Sequence, residues 1–163
     1  MKQGRKISIV SRMFAVLLAV MMVCSNISLP SKAAETVQTI AAWEYKDKDS
    51  APSSLPAGAT SGSGQLNVTG ATYTGYSSKS LAANNWEEEG SWTISEINAE
   101  KYENLTFSAS LRSSNTGAKN FQLEYSLDKG QSWTVVDGGA VEITSTNLTQ
   151  LYKDVKLPAE LSG

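Results

Sequence analysis

Most of the chain after residue 40 consists of short runs in which apolar and polar residues alternate. The clearest run is residues 105–112 (LTFSASLR), and residues 120–127 (NFQLEYSL) repeat its pattern. Alternation with period two places the apolar residues on one face of a β-strand. Weaker runs of the same kind predict further strands at residues 40–45, 65–74, 80–86, 91–97, 132–136, 140–144 and 151–157.

These runs predict an all-β fold, an antiparallel two-sheet β-sandwich of about eight strands that is jelly-roll-like. No stretch of a dozen residues after residue 40 keeps a helical period. Residues 47–64 are rich in Ser, Pro, Ala and Gly, and we expect a long loop there, since Pro52 and Pro56 cannot donate to a sheet ladder. The predicted core consists of Trp43, Trp92, Ile94, Leu105, Phe107, Leu111, Phe121, Leu123, Tyr125 and Trp133.

The N-terminus has the layout of a secretory signal peptide. A basic segment precedes a twelve-residue apolar run, residues 13–24, and small residues stand at the expected positions before a cleavage site after Ala33. The run is shorter than the roughly 20 residues of a membrane-spanning helix. We therefore predict a signal peptide over residues 1–33 and a secreted or cell-surface module over residues 34–163. The alternatives are an uncleaved anchor and a lipoprotein signal at Cys24, although Val23 is a poor residue before a lipidated cysteine.

Removal of the leader changes the charge and the chemistry of the chain. The full chain has 14 basic and 16 acidic residues; five of the basic ones and no acidic ones lie in residues 1–33, so residues 34–163 carry 9 − 16 = −7. Such a module has no electrostatic attraction to nucleic acid or to anionic lipid, and we expect neither as a partner. Residues 34–163 also contain no cysteine and no histidine, which excludes Ser–His and Cys–His catalysis.

Residues 126–133 (SLDKGQSW) resemble an Asp-box, a hairpin motif that recurs in sialidase-type propellers. In this motif Asp128 accepts backbone N–H groups across the turn, Gly130 supplies a positive φ, and Trp133 packs over the turn. A single copy in so short a chain, with Arg112 as the one arginine after residue 33, favours a structural turn over sialidase chemistry.

Neither catalysis nor a cofactor is expected. Consecutive carboxylates at residues 87–89 could contribute to a structural Ca²⁺ site, but neighbouring side chains cannot all reach one ion, so we favour a solvated loop. The remaining glutamates have no spacing that marks a glycosidase pair. Among the four tryptophans, Trp86 is the best candidate for an exposed, sugar-stacking ring, because it follows polar Asn84 and Asn85, but we favour core packing for it as well.

From Trp43 to Gly163 the chain resembles a jelly-roll-like module found near the N-terminus of large secreted Gram-positive proteins. The segments that carry the resemblance are residues 59–62 (ATSG), 81–86 (LAANNW), 91–95 (SWTIS), 102–106 (YENLT), 112–117 (RSSNTG) and 121–126 (FQLEYS). In those proteins the module stands beside metallophosphoesterase, nuclease or other hydrolase domains, and it has no established catalytic residues. The family pattern continues past residues 157–158, so the resemblance implies that the module lacks its last strands here.

We therefore expect a non-catalytic extracellular accessory module that binds carbohydrate or a cell surface. Its expected partners are polysaccharide or cell-wall glycan and downstream domains of the same polypeptide, with no membrane contact after signal cleavage. The alternative is a structural spacer domain of a larger secreted hydrolase, with no ligand of its own.

Overall fold

The protein is almost entirely β-structure. A computed structural model describes the backbone of residues 5–10 and residues 37–162 in full. The strands are β1 (Arg5–Val10), β2 (Ala41–Ala42), β3 (Ala57–Gly58), β4 (Ser61–Gly62), β5 (Gln65–Thr69), β6 (Thr72–Ser77), β7 (Ser80–Asn84), β8 (Ser91–Ser95), β9 (Thr106–Leu111), β10 (Asn120–Ser126), β11 (Thr134–Glu142) and β12 (Thr149–Lys156). A short 3₁₀ helix, Ala159–Leu161, follows β12.

Part of the predicted signal peptide lies outside the residues that the structure describes. The apolar run at residues 13–24, Cys24 and the cleavage site after Ala33 all fall outside the described residues. Within the described part, no helix has both the length and the apolar character needed to cross a bilayer.

The main sheet has six strands in the order β11-β10-β1-β8-β5-β3. The pairs β10–β11, β5–β8 and β3–β5 are antiparallel, as predicted. Strand β1 departs from the antiparallel prediction, because it runs parallel to both β8 and β10. Three antiparallel pairs, β9–β12, β2–β4 and β6–β7, complete the architecture.

One hydrophobic core joins the main sheet to the β9–β12 pair. Leu123 and Tyr125 of the main sheet belong to the same buried cluster as Phe107 of β9 and Tyr152 of β12. The rings of Phe107 and Tyr152 are tilted against each other with centroids 5.5 Å apart, and the Tyr152 hydroxyl donates to the Gly139 carbonyl at 3.0 Å. Two layers that share one apolar interior form a β-sandwich, so the predicted fold class is confirmed.

The predicted inward faces are largely right. Phe107 is 3% exposed and Leu123 0%, so the strand register inferred from the alternation is confirmed. Six of the ten predicted core residues are buried: Ile94, Leu105, Phe107, Phe121, Leu123 and Tyr125. Trp43, Trp92 and Leu111 are half-buried against the core. Trp133 is also half-buried, so its assignment to the enclosed core was wrong.

Several predicted strand boundaries were wrong, and glycine explains two of them. The single strand predicted for residues 65–74 is divided at Gly70, whose φ of +59° turns the chain and whose carbonyl accepts the Glu87 N–H at 2.7 Å. Conversely, the two strands predicted for residues 132–144 form one strand, β11, because Gly138 at φ +68° accommodates an irregularity without ending the ladder.

The segment predicted as a loop, residues 47–64, contains the short strands β3 and β4. Its backbone is held from outside by two aromatic side chains. The Trp43 indole N–H donates to the Ala57 carbonyl at 3.1 Å, and the Tyr73 hydroxyl donates to the Pro52 carbonyl at 2.7 Å. The strand predicted at residues 40–45 is reduced to β2 because the chain after Ala42 leaves the ladder to follow this segment.

Candidate functional site

An open cleft of about 500 Å³ lies where the second layer leaves the main sheet uncovered. Its floor is formed by Leu66 of β5 and by Trp92 and Ile94 of β8. Apolar walls come from the segment after β2, from β7 and from β9, namely Trp43, Tyr45, Leu81, Phe107 and Leu111. Polar groups stand among them: Thr39, Glu44, Lys79, Ser80, Ser108, Ser110 and Gln150. The cleft combines an aromatic and aliphatic lining with a set of hydrogen-bonding groups.

The strand pairing explains why this cleft is open. Within the described residues, β7 is hydrogen-bonded to β6 and β9 to β12, and β7 and β9 are not hydrogen-bonded to each other. The inward residues of β5 and β8 beneath that interval are therefore incompletely covered. Trp92 remains half-buried for this reason, whereas Ile94, two residues further along the same face, is 7% exposed.

Two aromatic residues on the segment after β2 form one wall. Residues 43–45 read Trp-Glu-Tyr, and both rings line the cleft. The hydrogen bond from the Trp43 indole to the Ala57 carbonyl fixes the orientation of that ring. Burial, and secondarily the neighbouring Tyr73 phenol, raise the pKa of Tyr45, whose phenol is protonated at neutral pH even at the ordinary tyrosine pKa of about 10. The wall thus presents one oriented indole and one neutral phenol.

Trp86, the tryptophan selected from the sequence as a sugar-binding candidate, is placed elsewhere. It is half-buried and is not among the residues that line the cleft. Its ring packs edge-on against Trp92 and Phe121, with centroids 6.1 and 6.2 Å away, and its indole N–H donates to the Ala83 carbonyl at 3.0 Å. Trp86 therefore contacts the back of the site through Trp92.

The Asp-box hairpin is a network of local hydrogen bonds. Asp128 Oδ1 accepts the Ser132 N–H at 2.8 Å and the Ser126 hydroxyl at 2.7 Å, and Oδ2 accepts the Ser132 hydroxyl at 2.5 Å. Ser126 Oγ in turn accepts the Gly130 N–H at 2.7 Å. Gly130 has a φ of +88°, and Trp133 is half-buried at the start of the return strand. All of these partners belong to the hairpin itself.

Hydrogen bonding makes Asp128 unusually acidic. The Ser132 hydroxyl, then the Ser132 backbone N–H and the Ser126 hydroxyl, lower the pKa of Asp128 to about 2. Each of these donors stabilises the carboxylate rather than the acid. The shift therefore comes from the turn, with no cation required.

No metal-binding cluster is found in the part of the chain that the structure describes. Groups of three or more Asp, Glu, His or Cys side chains arranged to hold an ion are absent from residues 37–162. Residues 87–89, the carboxylate run considered for Ca²⁺, are all exposed.

Comparisons with protein families, with curated proteins and with solved structures found no match to this chain. The resemblance to the Gram-positive module therefore stays a prediction, and the candidate site rests on its own geometry.

The alternation pattern assigns Trp43 and Trp92 to the core and does not reveal the cleft that they line. Tyr45 and Leu81 are not among the predicted core or site residues. The one signal for Tyr45 was its position two residues after Trp43, which places both rings on one side of an extended segment. The interval between β7 and β9 could not be predicted, because alternation defines strand faces and not strand neighbours.

Proposed function

We propose that this chain is a non-catalytic extracellular module that binds a saccharide in the cleft lined by Trp43, Tyr45 and Trp92. The observation that supports this proposal is an aromatic lining with hydroxyl, amide and ammonium groups beside it. Sugar rings have apolar C–H faces that pack on aromatic rings, and hydroxyl groups at their edges that require hydrogen-bond partners. A volume of about 500 Å³ lies within the range typical of small-ligand sites.

Charge narrows the class of saccharide. Residues 34–163 carry a net charge of −7, which disfavours acidic polysaccharides through long-range repulsion. Within the cleft, Lys79 provides a positively charged group and Glu44 a negatively charged group. Neutral or amino-bearing polysaccharides therefore fit better than uronic-acid or sulfated ones.

The cleft's carboxylate content favours binding over hydrolysis. A glycosidase of the common type needs two carboxyl groups, roughly 5–10 Å apart, on either side of the scissile bond. Among the described residues that line the cleft, Glu44 alone carries a carboxyl group. A bound sugar would thus meet a single candidate acid and no second group to act as nucleophile or base.

Binding by the full chain to insoluble polysaccharides tests this proposal. We expect retention on at least one neutral or amino-bearing polysaccharide, and a loss of at least about tenfold in affinity for Tyr45→Ala, which removes one stacking face and its hydroxyl. Tyr102→Ala is the matched control, because Tyr102 is also half-buried against the core but does not line the cleft. Trp86→Ala tests the sequence-based candidate in the same assay.

Three outcomes separate the alternatives. Loss of binding in Tyr45→Ala with retention in Tyr102→Ala supports the cleft. Loss of binding in Trp86→Ala alone, with an unchanged melting temperature, would show that the binding site is at Trp86 instead of the cleft. Absence of binding to every polysaccharide on a broad glycan array would contradict the proposal and favour the spacer domain.

A further inference from the structure

Strand β1 occupies an unusual place, in the middle of the main sheet. Residues 5–10 lie between β8 and β10 and pair with both in parallel. The same residues fall within the segment predicted as a signal peptide, which in an exported protein is removed. The strand that joins the two halves of the sheet is therefore part of the segment predicted to be cleaved.

The register across β1 follows the alternation of its sequence. Ile7 stands opposite Trp92 on one side and Leu123 on the other, and Ile9 stands opposite Ile94 and Tyr125. Ser8 separates the two isoleucines in the chain and stands opposite Thr93 and Glu124. Apolar positions thus pair with apolar positions and polar with polar, and such matching specifies strand register.

Without β1, the sheet would contain a slot one strand wide. Strands β8 and β10 are not hydrogen-bonded to each other, and their other neighbours are β5 and β11. Adjacent strands lie about 4.8 Å apart, so the two facing edges are separated by roughly 9.6 Å. Each edge presents backbone N–H and C=O groups that need partners. Leu123 and Ile94, which flank the slot, are buried core residues.

We propose that the slot between β8 and β10 is a strand-acceptor groove and that residues 5–10 are its intramolecular ligand. While the leader is attached, it completes the sheet by β-strand addition, and its removal exposes a groove for an extended peptide with apolar residues at alternate positions. Charge supports the pairing: residues 5–10 contribute two basic and no acidic residues, whereas residues 34–163 carry −7. The groove is defined by the edge of β8 that pairs with β1, and Trp92 and Ile94 of the same strand also line the cleft described above.

Cross-linking in the full, unprocessed chain tests the register. In a Cys24→Ser background, Ser8→Cys with Thr93→Cys joins directly paired positions, whose spacing suits a disulfide. Ser8→Cys with Asn67→Cys is the matched control, because Asn67 pairs with Thr93 one strand further away. We expect an intramolecular disulfide in the first protein and none in the control. Equal cross-linking of both pairs, or of neither, would overturn the assignment.

Hydrogen exchange tests the groove itself. Ser8→Pro removes a ladder donor from the central strand, so we expect amides in residues 91–95 and 120–126 to exchange at least about tenfold faster. Gln3→Pro, outside the strand bounds, should leave them unchanged. A synthetic peptide of residues 5–10 (RKISIV) should restore protection in Ser8→Pro, and RKIPIV should not. Unchanged protection in Ser8→Pro would contradict residues 5–10 as the occupant of the groove. The same conclusion would follow if Ser8→Pro formed a dimer that the RKISIV peptide could not dissociate.

Discussion

At the scale of single residues, Asp128 links the acidity of one side chain to the stability of a hairpin. Its three hydrogen bonds with Ser126 and Ser132 place the carboxylate at the centre of the turn. This role could be predicted from the sequence, because the spacing of Ser, Asp and Gly in the motif determines the backbone geometry of the turn. Local hydrogen bonding of this kind depends little on the rest of the fold.

This acidity predicts a pH dependence. Because hydrogen bonds lower the pKa of Asp128 to about 2, its ionised form stabilises the folded state above the unfolded pKa of about 4, and this contribution is lost as the pH falls toward 2. Asp128→Asn should therefore lower the melting temperature at pH 6, and the difference from wild type should shrink between pH 4 and pH 2. Asp137→Asn is the control, because Asp137 is an exposed residue of β11. A difference that persists undiminished at pH 2 would contradict this role.

Gly62 predicts a larger, purely steric effect. It has a φ of +74°, and a Cβ atom built there would overlap the Ile40 carbonyl oxygen across the β2–β4 pair. Gly62→Ala should lower the free energy of unfolding by about 2–4 kcal/mol, from backbone strain together with the steric clash. Gly58→Ala is the matched control, since its Cβ would meet nothing within 4 Å and its φ is unstrained. Chemical denaturation of the two variants measures the difference, and equal stability would show that the β2–β4 contact is not maintained.

At the scale of elements, the alternation of residues predicted strand faces well and strand ends poorly. Strands β9 and β10 bury the apolar residues that the alternation assigned to their inward faces, and a one-residue shift would expose them. The opposite face of β10 is not fully exposed, because Glu124 and Ser126 are buried too. The predicted strand ends were wrong at two glycines. Gly70 ends a strand that was predicted to continue, and Gly138 lies inside a strand that was predicted as two. The local sequence does not determine whether a strand ends at a glycine or continues through it, because this depends on whether a neighbouring strand continues to pair with it.

The irregularity in β11 predicts a pair of contrasting substitutions. A Cβ atom on Gly139 would approach the Val136 carbonyl oxygen to 2.8 Å and Leu123 Cβ to 2.9 Å, whereas one on Gly138 would meet nothing within 4 Å. Gly139→Ala should therefore cost about 1–3 kcal/mol through overpacking between β10 and β11. Gly138→Asn should cost less, because Asn tolerates a positive φ. Urea unfolding of both variants compares them, and a reversed order of stability would be inconsistent with this ladder.

At the scale of the whole molecule, the functional features arise from which strands are neighbours. The cleft proposed to bind a saccharide lies in the interval between β7 and β9, and the proposed acceptor groove lies between β8 and β10. Both depend on contacts between residues far apart in sequence, and no periodic pattern encodes these contacts. The sequence therefore supported a binding module as a class and directed attention to Trp86, whereas the geometry directs it to Trp43, Tyr45 and Trp92.

The central proposal is that this cleft holds a saccharide, and the indole N–H signals of the four tryptophans test it most directly. The measurement is a titration of the ¹⁵N-labelled chain with soluble neutral and amino-bearing oligosaccharides, followed by two-dimensional NMR. The cleft predicts saturable shifts of the Trp43 and Trp92 indole signals, with the Trp133 signal in the Asp-box hairpin unchanged. Shifts confined to Trp86 or Trp133, or no saturable shift with any oligosaccharide, would contradict it.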